Sequence, residues 1–128
     1  MTPDKRATLY LTSAHMGAIA TAILIPARAL DWPDFVQGLG LGVLLVSIVI
    51  LLRRKLRDEY IEGLWRTGTT YAFVTLVIWY LLAPFTHGVL DGLFDVDTGA
   101  SLPVDWTGLV AIAAFFVGFH RQWLAEGR

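Results

Sequence analysis

Histidine is the side chain in this sequence with the clearest capacity for chemistry, because imidazole changes charge near neutral pH and ligates metals. The chain has three: His15, His87 and His120. His15 falls about two turns inside the first apolar run from its basic start, and His120 about one turn inside the last run from its basic end. At ~1.5 Å of rise per helical residue the two rings come to similar depth. A bis-histidine haem or a quinone site could be assembled in that way, with neighbouring aromatic residues as lining. One histidine per helix at no diagnostic spacing describes equally well two interfacial histidines bonded to backbone or water. His87 belongs to the opposite end of the chain's apolar segments and does not join them.

Other chemistry is sparse. The chain has no cysteine, which removes disulfides, thiolate metal sites, iron–sulfur clusters and cysteine nucleophiles. The spacing Asp95-x-Asp97-x-Gly99 matches the opening of a calcium loop but lacks the third acidic ligand and the closing glutamate, so it reads as a solvated acidic loop. Thr69, Thr70 and Thr75 lend polarity to the third apolar run; threonine in a helix commonly bonds back to its own turn. No hydrolase, phosphate-loop or zinc signature occurs. Ionisable groups at mid-membrane are costly and usually functional, and the second and third apolar runs carry none through their centres. That disfavours a small channel or transporter, and no enzymatic activity is expected.

The elements that must position these residues follow from how the apolar residues group. Hydrophobic residues make up 55% of 128, and charged residues only 16%. Four runs approach the roughly 20 apolar residues a helix needs to cross ~30 Å of hydrocarbon: 9–30, 35–52, 67–83 and 106–123. None alternates with period two, so helices are expected rather than barrel strands. Lys5 and Arg6, with Ala27-Arg28-Ala29 further on, have the outline of a signal peptide. The apolar run is too long, and Pro26 and Arg28 suit cleavage poorly, so it is read as a retained span. The expected fold is all-α: one four-span membrane domain over 1–128, an integral four-helix bundle.

Orientation is read from the basic residues. Nine of the ten lysines and arginines fall on the side of the termini and the 53–66 connection, and only Arg28 on the other. Both termini are therefore expected in the cytoplasm, in a bacterial inner membrane. Tyr10, Trp65 and Trp123 are expected at the inner boundary, and Trp32, Tyr80 and Trp106 at the outer one. Arg28 is expected to snorkel or to pair locally. Asp31 or Asp34 is expected to cap the second helix, and Asp105 the fourth. Pro84 is expected to kink or end the third span, with Phe85, Val89, Leu90 and Leu93 then forming a short amphipathic helix on the outer surface.

The run from Leu51 to Gly68 concentrates eight charges in eighteen residues. Arg53, Arg54, Lys55 and Arg57 come first and suit the end of the second span; Asp58, Glu59 and Glu62 follow and suit the start of the third, with Asp58 as its N-cap. The block reads as the determinant of topology. It would touch anionic lipid headgroups, and nucleic acid is not expected: the net charge is only −1. Small residues mark close-packing faces: Ala14, Ala18 and Ala22, with Ser13, Gly17 and Thr21, in the first span, and Gly38 and Gly42 in the second. Gly108, Ala111, Ala114 and Gly118 mark another in the fourth. The function expected is association, as an accessory or scaffold subunit or a homo-oligomer; a haem or quinone protein using His15 and His120 is the alternative.

Overall fold

The computed structural model describes residues 2–94 and 104–126. Four helices account for almost all of them: α1 (Pro3–Ala29), α2 (Asp34–Leu51), α3 (Glu59–Phe94) and α4 (Val104–Ala125). A single 3₁₀ turn, Arg54–Leu56, lies between α2 and α3, and no strand occurs among the described residues. All four helices are long and apolar enough to cross a membrane.

Local chemistry sets most of the ends. Thr2 Oγ1 accepts from Lys5 N–H ahead of Pro3, which starts α1 where a missing N–H costs nothing. The other end of α1 closes with Asp31 in the left-handed region (φ 53°) and Trp32 N–H donating to Ala27 O at 2.9 Å. That is the six-to-one bond of a Schellman stop, with aspartate where glycine is usual. Asp31 therefore ends α1 rather than capping α2. Asp34 is the first residue inside α2, whose cap position is Pro33 and has no side-chain bond. Gln37 Nε2 donates back to Trp32 O at 2.9 Å and ties the turn instead.

The third helix differs most from expectation. It runs unbroken for 36 residues through Pro84 to Phe94, so no separate surface helix forms. A lone proline removes one ladder bond, and the helix continues past it. At ~1.5 Å per residue α3 is about 54 Å long, well beyond a ~30 Å core. Phe85, Val89, Leu90, Leu93 and Phe94 are exposed along the extension. The Asp95–Gly99 motif lies outside the described residues. Asp105 sits within the first turn of α4, which begins at Val104, not ahead of it.

The helices pair as α1 with α2 and α3 with α4, and a smaller α1–α4 seam joins the two hairpins. The chain link between α2 and α3 does not make them packing partners. Glycines decide where backbones approach. A Cβ on Gly118 of α4 would lie 2.6 Å from Tyr71 Cγ of α3, and one on Gly68 of α3 would lie 2.7 Å from the Phe115 ring of α4. Each glycine receives the other helix's aromatic knob. Gly17 of α1 faces Phe116 of α4 and Ser47 of α2, at the point where three helices meet. Gly40, rather than Gly38 or Gly42, meets Leu24 of α1; a Cβ on either of the latter two would meet nothing within 4 Å. The core collects at the end that carries the termini and the 52–58 link, around Tyr10, Leu51, Ile61, Leu64, Phe116 and Phe119.

Candidate functional site

The α1–α4 seam brings His15 and His120 into direct contact. His15 Nδ1 lies 2.8 Å from His120 Nε2, with ring centroids 5.0 Å apart. The positions on α1 and α4 follow from Gly17, which lets Phe116 in and so draws α4 against α1 one turn from His120. The protons follow from the acceptors. His120 Nδ1 is 2.9 Å from Phe116 O, and a carbonyl only accepts, so that nitrogen bears hydrogen. In the neutral ring Nε2 is then bare, so His15 Nδ1–H is the donor between the rings. The pair is a directed chain from His15 through His120 to the Phe116 carbonyl. His15 Nε2 is its open end.

Aromatic rings frame the pair. Trp123 stands edge-on to His15 at 5.1 Å, and Phe119 and Phe116 flank His120 at 5.5 and 6.3 Å. Both histidines are half-buried. The two imidazoles bond directly to each other at 2.8 Å, whereas an iron between them would set their nitrogens roughly 4 Å apart, at ~2 Å per metal–imidazole bond. No group of three or more metal-ligating side chains occurs among the described residues. A group that takes or gives a proton at His15 Nε2 is the chemistry the geometry offers.

A second polar centre lies at the same end of the fold and was not foreseen from the sequence. Tyr10 is wholly buried, and its hydroxyl donates to Leu51 O at 3.2 Å. It is a core residue, not a boundary ring facing lipid. Arg57 Nη2 donates to the same carbonyl at 3.0 Å, and Nη1 approaches Glu62 Oε2 at 3.3 Å. Its guanidinium carbon sits 4.1 Å over the Trp65 ring. The carbonyls that end α2 carry partial negative charge and lack helical partners. The buried Arg57 and Tyr10 satisfy one of them. Arg53, Arg54 and Lys55 are exposed and lie past the end of α2, in the link rather than in its last turn. Asp58 Oδ1 accepts from Ile61 N–H at 2.8 Å, the geometry of an N-cap on α3. No feature of the sequence marks Leu51 O, because the acceptor is backbone.

The remaining residues singled out by type separate clearly. Ala14 and Gly17 are buried with Ser13 and Thr21, Ala18 is half-buried, and Ala22, Gly38 and Gly42 are exposed. Thr69 Oγ1 and Thr70 Oγ1 bond to carbonyls of their own helix, at 2.9 Å to Trp65 O and 2.8 Å to Arg66 O. His87 lies on the α3 extension, at the far end from the pair. No family model, curated protein or solved structure matches this chain.

Proposed function

We propose that this is a small multi-pass protein of a bacterial inner membrane that acts by helix–helix association. It serves as an accessory or scaffold subunit or as a homo-oligomer, with both termini in the cytoplasm and no reaction of its own. The observation that carries the reading is the outward face of α2. Gly38 and Gly42 receive no helix from within the chain. They floor a hollow walled by Met16, Leu39, Val43 and Val46. In lipid, where leucine side chains gain nothing from leaving a solvent as apolar as themselves, close backbone approach and packing drive association. An exposed glycine pair one turn apart, inside an apolar groove, supports that use. Orientation rests on the basic residues at the end shared by the termini and the 52–58 link.

The test is mass measurement in a mild detergent, with Gly38→Leu and Gly42→Leu beside the parent. A second copy or a stoichiometric membrane partner, lost in both variants, is expected. A monomer without partner in the parent rejects the reading.

A second reading is favoured by the 2.8 Å histidine contact. In it the protein handles a proton for a quinone at His15. Quinone titration would then quench the neighbouring Trp123 fluorescence, and His15→Ala would abolish the effect. Quenching that survives His15→Ala rejects it.

A further inference from the structure

The seam between α2 and α3, which the chain connection would lead one to expect closed, is open, and what lines it is not random. Inside lies an apolar cleft of about 150 Å³ bounded by Ile48 and Leu51 of α2, Trp65 of α3, and Ile112, Phe115 and Phe116 of α4, with no polar surface. On the end that carries the termini, with the same Trp65 in its wall, lies a wider hollow whose lining includes Arg54, Arg57 and Arg66. Trp65 joins the two: its face carries the Arg57 guanidinium, and its ring stands against Phe115 at 5.2 Å.

We propose that this seam holds one anionic glycerophospholipid, its phosphate on the arginines and an acyl chain in the cleft. The inference rests on the four helices crossing a bilayer. Two observations carry it. Arg57 has a side chain only 7% exposed, and its Nε is closed to solvent without a hydrogen-bond partner, so its charge lies buried beside the hollow with one donor unanswered. Arg54 and Arg66 are exposed and form no ion pair among the described residues. Three carboxylates line the same hollow: Glu62 is paired with Arg57, and Asp58 keeps its charge at the N-terminus of α3, where it accepts from Ile61 N–H. The third, Glu59, is exposed. A lipid matches a charged hollow and an apolar cleft that share the Trp65 wall. A free phosphate would use only the hollow, and a partner helix would leave the arginines unanswered. Basic clusters beside a membrane helix attract anionic headgroups in general; here the cleft adds a place for the chain, which makes the contact a site.

The experiment is native mass spectrometry of the full chain in dodecyl maltoside with added dioleoyl phosphatidylglycerol. One tightly retained lipid per chain is expected. Arg54→Gln with Arg66→Gln, which alters only exposed side chains, should weaken retention roughly thirtyfold, at ~1 kcal/mol for each basic residue. Ile48→Trp, which fills the cleft and leaves the charges alone, should weaken it as well. Glycerol 3-phosphate, a headgroup without chains, should not compete. Retention unchanged in the variants, or competition by glycerol 3-phosphate equal to that of the lipid, overturns the proposal. A protein that pellets with carbonate-washed membranes yet holds no lipid loses the site and keeps the membrane reading. One that does not pellet loses both.

Discussion

Adding one methyl group at Gly118 tests the packing of α3 on α4 more sharply than any change at the charged end. A Cβ there would lie 2.6, 2.7 and 2.8 Å from Tyr71 Cγ, Cβ and Cδ2. Carbon–carbon contacts are best at about 3.5–4.0 Å, so the helices would have to part by ~0.9 Å. Of the three clashing atoms the tyrosine Cβ is fixed by the backbone, so a change of χ1 that moves Cγ and Cδ2 still leaves a contact at 2.7 Å. Overpacking of this kind costs roughly 2–3 kcal/mol. Replacing a helical glycine by alanine returns ~1 kcal/mol. The net expectation for Gly118→Ala is a loss of about 1–2 kcal/mol, the difference of those two terms. Gly108→Ala, on the same helix with nothing within 4 Å of the new atom, should gain up to ~1 kcal/mol. Reversible unfolding by sodium dodecyl sulfate in mixed micelles reads both. Tyr71→Ala removes Cγ and Cδ2 and should rescue Gly118→Ala only in part, because the tyrosine Cβ at 2.7 Å remains; Tyr71→Gly should rescue it further. Equal shifts at 118 and 108, or no rescue by Tyr71→Gly, would refute this helix contact.

Three further outcomes are expected. Tyr10→Phe removes one bond to Leu51 O but leaves Arg57 on that carbonyl, so the same unfolding assay should register a loss of only about 0.5–1 kcal/mol; a loss several times larger would mean that Arg57 does not satisfy the acceptor. A double-mutant cycle on His15→Phe and His120→Phe should give a coupling of ~0.6 kcal/mol, with ~1.7 as the upper end for bonds within membranes, and a coupling of zero would dissolve the pair. Reversing Arg53, Arg54, Lys55 and Arg57 to glutamate should scramble orientation in a reporter-fusion assay; unchanged orientation would remove the basic block as the topology determinant.

Where each apolar helix lies was legible in the chain, because hydrocarbon admits only backbone that bonds to itself and the length of the apolar run sets the span. The observed α1, α2 and α4 begin and end within a few residues of the runs at 9–30, 35–52 and 106–123, apart from the nearly two turns that α1 adds in its polar start. The similar depth of His15 and His120 was legible too, from rise per residue alone. Depth does not fix rotation about the helix axis or the choice of neighbour. Whether two histidines at one height bond or face opposite ways depends on which helices pack, and here Gly17 admitting Phe116 turns them together.

The glycines make the same distinction. Gly38, Gly40 and Gly42 look alike in sequence, yet only Gly40 meets another helix of this chain. Successive residues two apart on a helix point about 200° apart, so the packing partner selects one and leaves its neighbours to face out. The third helix does not end at Pro84, because a proline's local cost does not outweigh a long helix that continues on both sides. Composition and periodicity determined an all-helical chain with four helices long and apolar enough to cross a membrane, since those properties belong to one segment at a time. The open α2–α3 seam, the arginine and tyrosine sharing the Leu51 carbonyl, and the histidine chain ending on Phe116 belong to pairs of segments. Only tertiary packing decided them, because it alone sets which faces meet.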